Sequence, residues 1–588
     1  PLDCPICDQG GECDLQDQAM AFGLGGSRYE ENKRAVEDKY IGPLIKTVMT
    51  RCIHCTRCVR YMTEVAGVEE LGLIGRGEDA EITTYLEKGI MSEMSANVVD
   101  LCPVGALTHR PWAHNCRPWE LKKTETIDGM DALGSSIRVD TRGREVMRIL
   151  PRNNDAVNEE WISDKTRHVV DGLKSQRLDR PYFKKNGRLQ EASWDEVFDV
   201  VTDRIKNTEK SRIGAIVGDL AGVEEIFALK EFMKSLGVQN LDCRQGFEKL
   251  NPHHGRAGYI FNSKIEGIDS ADACVLIGTN PRLEAPVLNA RIRRKVRQGE
   301  CEVFVLGEAI NLGYPYSHIG RTAADIKEIQ YGDFGKFKHP MVILGIGALS
   351  HPQGDAILSF IIKKALENGF VKKDWNGLNI LHTAAARVGA LEMGFVPSKD
   401  GLDLTSIING GVDVVYNLGA DEISIPHGPF VIYQGSHGDM GAQRADVILP
   451  GAAYTEKNAT FINMEGRVQQ TVKAVSPPGL AREDWKIIRA LSEKVGNQLS
   501  FDTTEELKEN LRNVARLENL TLLKGEVNTL EVISNLKYQM NLDKSILASP
   551  IKDFYLTNPI ARVSRTMAEL SRLKEAHRSQ NPLNFAAE

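Results

Sequence analysis

The chain has 588 residues, 42% of them hydrophobic, and its 73 Lys and Arg against 80 Asp and Glu leave a formal net charge of −7. That slight acidic excess argues against a general nucleic-acid binder and against a basic membrane-surface protein, and no stretch approaches the roughly 18–20 uninterrupted apolar residues of a membrane span. The apolar share suffices for cores in about three to five domains; with no initiator Met and no signal or transit segment at Pro1, the chain reads as processed or as a fragment.

Residues 1–118 form a cysteine-rich region in which seven of the eleven cysteines fall into two groups. The first is Cys4, Cys7 and Cys13. The second is Cys52, Cys55 and Cys58, completed by a distant Cys102 that is followed at once by Pro103. Thiolates two residues apart let a short loop wrap one corner of an iron–sulfur cubane, and a remote Cys-Pro then supplies the fourth ligand. Two other readings compete. Structural zinc prefers two well-separated knuckles, although one could be built from Cys4, Cys7, Cys13 and a borrowed ligand. Disulfides call for an oxidising compartment and a small loop-rich domain, which this long apolar chain is not.

Between the two groups, Phe22 to Gly26 reads as a flexible loop and Arg28 to Lys39 as a solvated charged face. Val59 to Val65 has a helical pattern, and Thr84 to Met94 reads as an amphipathic segment. Arg51, Arg57 and Arg60 surround the triple cysteine run, either as plain surface charge or as positive charge favouring the reduced form of a thiolate-ligated cluster.

Residues 119–180 read as a β-rich connector, with a hairpin turning at Thr141 to Arg144 and Gly143 relieving the turn. From about 180 to 500 strand-length apolar runs alternate with helical periods: Ile213–Val217, Ala273–Ile277, Val303–Leu306, Met341–Leu344, Val412–Tyr416, Val431–Tyr433 and Val447–Leu449. This is the signature of an α/β body with parallel sheets and flanking helices. The strand ends at Val275–Pro281 and Val415–Asp421 look alike and hint at two related units. Residues 501–588 look helical and polar; Asn558-Pro559 marks a helix start before Ile560–Ala576, and Arg562, Arg565, Arg572 and Lys574 give that helix a basic, solvated side.

Other motifs carry less. Gly345-Ile-Gly347 follows a strand but has Ser350 where a dinucleotide turn needs its third Gly, so it reads as a tight strand–helix turn. Cys274 is expected in the core and Cys116 as a free thiol, while Cys243 and Cys301 stand apart from both groups. His54 and the pair His253-His254 are assigned ordinary roles, and no catalytic constellation stands out.

The segments Pro1–Asp17, Arg51–Arg60, Cys102–Leu107, Asn158–Lys165, Ala445–Pro450 and Asn463–Arg467 resemble, over essentially the whole chain, the family of 75-kDa iron–sulfur subunits of respiratory complex I, NADH:ubiquinone oxidoreductase. The resemblance implies one 4Fe–4S cluster on Cys52, Cys55, Cys58 and Cys102. It implies a second on Cys4, Cys7, Cys13 and a His one position ahead of Pro1. The family's 2Fe–2S ferredoxin-like domain is missing here, and its molybdopterin-oxidoreductase-like body is expected to carry no molybdopterin. The implied function is electron relay from NADH and flavin toward ubiquinone, with no catalytic residue in this chain. The implied partners are the other peripheral-arm subunits: the flavin/NADH-binding, quinone-site and ferredoxin-like iron–sulfur subunits. The implied location is the matrix side of the mitochondrial inner membrane, without nucleic acid and without a transmembrane segment. A molybdopterin-dependent, formate dehydrogenase-like oxidoreductase using Cys243 and a zinc-stabilised assembly scaffold are the alternatives.

Overall fold

The computed structural model describes residues 2–515, 517, 521–538 and 541–580; Pro1 and the end of the 501–588 tail lie outside them. All seven runs expected as strands in the body are strands, each within two residues of its expected ends. They form two sheets. The five-stranded sheet is wholly parallel, in the order Ser317–Gly320, Glu302–Leu306, Ala273–Ile277, Pro340–Gly345, Leu378–Leu381. The seven-stranded sheet runs Asn240–Asp242, Ile213–Val217, Val414–Leu418, Phe430–Gly435, Val447–Pro450 in parallel, and the hairpin Tyr182–Lys185 and Arg188–Glu191 closes one edge antiparallel. Strands buried on both faces, such as Ile213–Val217 and Ala273–Ile277, need the continuous apolar runs that the sequence shows.

Ile213, Tyr416, Val275 and Leu344 belong to one hydrophobic core that both sheets share. The two similar strand ends occupy matching places, each in an inner strand with a left-handed glycine directly after it: Gly278 (φ 58°) and Gly419 (φ 65°).

The connector is a three-stranded antiparallel sheet of Lys122–Ile127, Ser136–Arg142 and Glu145–Pro151, with Gly143 at φ 62° in the expected hairpin turn. Its apolar face, including Ile137, Val139 and Ile149, packs into a second core with Tyr61, Met62, Val98 and Leu107 of the cysteine-rich region. The same core takes in Phe554, Tyr555, Met567 and Leu570 from the C-terminal tail, so that tail packs against the cysteine-rich region.

Two local expectations change and a third gains its structure. The amphipathic segment Thr84–Met94 begins at the end of a strand, Glu81–Thr84, paired with Leu71–Ile74, and Leu86 at φ 51° turns the chain after it. The C-terminal helix is two helices, Pro559–Arg562 and Arg565–Gln580. Asn558 caps the first as expected, but the Ser564 hydroxyl accepts from Met567 N at 3.1 Å and restarts the second. Nor is its basic side simply solvated. Arg562 pairs with Glu422 and Asp439, and Lys574 pairs with Glu93.

Glu93, only 2% exposed, also accepts from Arg282 Nε at 2.9 Å. Burial alone would raise its carboxyl pKa, but the two cations outweigh that and hold it at about 2. One carboxylate thus ties the cysteine-rich region to the body and to the C-terminal helix.

Candidate iron–sulfur centres

The second cysteine group converges. Cys52, Cys55, Cys58 and Cys102 line one pocket, walled by Met49, Ile53, Ile82, Val104, Ala106 and Leu107. The loop reaches this shape through two residues that L side chains rarely permit, His54 (φ 52°) and Thr56 (φ 58°), which fold the backbone so that three cysteines face inward. Left-handed backbone in non-glycine residues is a feature of sites whose surroundings enforce it. The role of His54 is therefore to turn the chain, and its backbone N–H donates to Cys52 Sγ at 3.4 Å. Arg57–Tyr61 then begins a helix that carries Cys58, and the short helix Asn97–Leu101 delivers Cys102 from the other side.

The electrostatics suit metal-bound sulfur. Burial, followed by the nearby Cys102, Cys52 and Cys55 sulfurs, pushes the Cys58 thiol up to about 12. Burial likewise raises Cys52 and Cys102. The Cys102 thiol donates to the Val104 carbonyl at 3.0 Å, and the backbone of the following turn offsets part of the burial effect. Buried thiols this close together keep their protons until a cation displaces them, because coordination deprotonates a thiol outright. Among the described residues no three His, Cys, Asp or Glu side chains gather closely enough to hold a single ion. Four cysteine sulfurs around one pocket, three from one loop and one from a Cys-Pro elsewhere, are the donor set of a cubane.

The first group is more open. Cys4 is exposed, in a short turn of 3₁₀ helix (Cys4–Ile6); Cys7 and Cys13 are buried. Both buried thiols press against the turn that follows Cys102: Cys13 Sγ lies 3.6 Å from the Pro103 carbonyl oxygen, and Cys7 Sγ occupies the space where a side chain at Gly105 would begin. One four-residue turn therefore supplies a ligand to the Cys52–Cys102 cavity and backs the other cysteine loop.

Four acids of the 3–14 loop each find a base on a different segment. Asp3 pairs with Arg51 at 3.0 Å, Asp8 with Lys46 at 3.3 Å, Glu12 with Arg148 at 2.6 Å and Asp14 with Arg57 at 3.4 Å. Of the three arginines expected beside the triple run, Arg51 and Arg57 are thus neutralised by this loop and Arg60 by Glu64. None is a free positive charge. Gly105 and Arg117, which touch the first cysteine loop, were not singled out in the sequence; the Cys-Pro-Val-Gly run was the available signal for Gly105.

The α/β body does not fit a pterin cofactor. In open parallel sheets ligands enter at the carboxyl ends of strands. At that edge of the five-stranded sheet the chain's own residues 547–548 fill the space: side chains at Gly307 and Gly347 would strike the carbonyls of Leu547 and Ala548. At the other sheet Cys243 is fully buried beneath the Arg387–Glu248 and Arg387–Asp219 ion pairs. The Gly345-Ile-Gly347 turn is accordingly a packing turn, as expected. Cys274 and Cys116 are buried free thiols, as are Cys243 and Cys301.

Comparison with known proteins follows the same division. Residues 1–28 match the NADH-ubiquinone oxidoreductase-G iron-sulfur binding region, and residues 42–108 the ferredoxin-like domain of NADH-quinone oxidoreductase subunit 3. Residues 177–494 match the molybdopterin oxidoreductase family, and residues 528–570 the C-terminal family of the G-type subunit of NADH-ubiquinone oxidoreductase. Residues 121–171 match a family described as the NADH-ubiquinone oxidoreductase NDSU1/NuoG-like 4Fe-4S domain, yet that stretch contains no cysteine in this chain. The mitochondrial 78-kDa subunit of NADH-ubiquinone oxidoreductase from Neurospora crassa is 48% identical, covering 98% of this chain and 79% of the relative. The 75-kDa subunit from Reclinomonas americana is also 48% identical, over 97% of this chain and 86% of the relative. The mitochondrial 78-kDa subunit from Candida albicans is 46% identical, over 97% of this chain and 81% of the relative.

Proposed function

Because this chain belongs to the family of the 75/78-kDa subunits of NADH-ubiquinone oxidoreductase, we propose that it is an electron-carrying subunit of that complex whose cysteine-rich region, residues 1–118, holds two 4Fe–4S clusters. Cys52, Cys55, Cys58 and Cys102 hold one. Cys4, Cys7, Cys13 and a His ahead of Pro1 hold the other. The observation that carries this reading is the convergence of four thiols on one cavity, backed by a turn that also touches the other cysteine loop. Bound clusters supply one-electron redox chemistry with little change of geometry.

The chain's own residues do the rest. The left-handed backbone at His54 and Thr56 fixes the ligand loop. Apolar Met49, Ile82 and Leu107 line the buried side of the pocket, around Cys58 and Cys102, while Cys55 and Ile53 face outward. The Pro103–Gly105 turn holds the two sites against each other, so that an electron leaving one has a short covalent segment between it and the next. No side chain need act as acid, base or nucleophile.

In this reading residues 119–180 connect, 181–500 form a scaffold and 501–588 pack against the cysteine-rich region. No helix among the described residues is long and apolar enough to cross a membrane. The subunit then reaches the inner mitochondrial membrane through its complex, on the matrix side, between the flavin/NADH-binding subunit and the quinone-site and ferredoxin-like iron–sulfur subunits.

Rapid mixing of the intact complex with NADH, followed by freezing and low-temperature EPR, tests this. Both clusters are expected to become reduced within a single turnover. A cluster that stays oxidised while quinone is reduced contradicts its place in the relay.

A further inference from the structure

We propose that Arg117 sets the reduction potential of the cluster on Cys4, Cys7 and Cys13 by holding one uncompensated positive charge against the ligand loop. This rests on the cluster assignment proposed for those cysteines. The acids Asp3, Asp8, Glu12 and Asp14 are each matched by a base, so those pairs add no net charge beside the site. Arg117 differs. Its guanidinium donates to the Cys7 carbonyl at 2.5 Å and to the Pro5 carbonyl, and no carboxylate pairs with it among the described residues. Its neighbour Glu120 accepts from the Arg117 backbone N–H at 2.9 Å and does not reach the guanidinium.

The placement is built rather than incidental. Pro118 is buried, and the Trp119 ring lies 5.8 Å from the Arg117 guanidinium carbon. The loop has glycine at both points of approach. A side chain at Gly10 would begin 3.2 Å from Arg117 Nη1, and one at Gly11, whose φ is 88°, would strike Trp119. The Arg117-Pro-Trp119 segment and the loop are therefore shaped to each other, and the charge is delivered to the backbone of a ligand residue.

Net charge close to an iron–sulfur site moves its potential, and a positive charge favours the reduced, more negative state. Redox titration of the intact complex, followed by EPR, separates this role from simple clamping. Arg117→Gln keeps an amide donor but loses the charge; Arg117→Lys keeps the charge but loses the two-pronged grip. In Arg117→Gln the ratio of reduced to oxidised first cluster, at a fixed ambient potential, is expected to fall at least about tenfold, the effect of one unit charge about 12 Å away in a medium of effective dielectric about 20. In Arg117→Lys it stays near the parent value, and the cluster on Cys52, Cys55, Cys58 and Cys102 is unmoved in both.

An unchanged potential in Arg117→Gln, an equal shift in both variants, or loss of the signal in both overturns the proposal and leaves Arg117 a clamp. If the parent complex itself shows no signal that depends on Cys4, Cys7 and Cys13, the cluster assignment fails and takes this role with it.

Discussion

Replacing Cys102 with alanine is expected to remove one entire cluster and to stop NADH-driven quinone reduction in the assembled complex, while the α/β body stays folded. Cys102 is the one ligand of its set that comes from a different segment, carried on the helix Asn97–Leu101 opposite the Cys52–Cys58 loop. Without it three thiols remain on one side of the cavity, and a cubane with an open iron is exposed to loss. The iron bound by the cysteine-rich region should fall by about half, roughly four of eight atoms. The fold loses little, because Cys102 contributes one buried sulfur to a core that also holds Val98, Val104, Leu107, Ile137 and Tyr555. Iron and sulfide assay with low-temperature EPR checks the first part, and thermal unfolding of the variant checks the second. Retention of both EPR signals would show that the fourth ligand is another residue.

The second large effect is expected from Gly105→Ala. One methyl group there is predicted to abolish the cluster on Cys4, Cys7 and Cys13 and to leave its neighbour intact. The backbone at Gly105 is not in the left-handed region, so alanine is conformationally allowed; the obstacle is that its Cβ would overlap Cys7 Sγ. A free thiol could rotate away. A sulfur bonded to iron cannot, so the added methyl competes directly with ligation. The general cost of overpacking is about 1–3 kcal/mol, which the folded chain tolerates and a weakly closed site does not. Cys102 lies at the far end of the same turn, with its sulfur against the Val104 carbonyl rather than against Gly105, so its cluster should persist. EPR of the variant showing both signals at parental intensity would mean that the two cysteine loops are not seated against each other across this turn.

What the sequence made legible follows from where the information sits. The ligands Cys52, Cys55, Cys58 and Cys102 could be chosen because their spacing is itself the geometry: three thiols on one loop and a Cys-Pro elsewhere. The body's strands could be placed because doubly buried strands must be continuous apolar runs, as at Ala273–Ile277. The roles of Gly105 and Arg117 could not, because each depends on a loop about a hundred residues away folding against it.

The same holds for charge. Arg51 and Arg57 look in sequence like a positive frame for the cluster, but Asp3 and Asp14 cancel them through contacts that no local pattern encodes. Ser564 in the C-terminal helix reads as one more polar position. Its hydroxyl also donates to Asp171, which anchors it as the cap of a second helix. The amphipathic pattern of Thr84–Met94 did not specify its backbone, because Thr84 pairs with Leu71 across a strand ladder and Leu86 reverses the chain.

The measurement that bears most directly on the central claim is a joint assay of iron, acid-labile sulfide and zinc on the anaerobically purified protein. The account predicts iron and sulfide in equal amounts, at least about four of each per chain from the Cys52–Cys102 site alone, and no stoichiometric zinc. Zinc at one or two atoms per chain with no labile sulfide would contradict it.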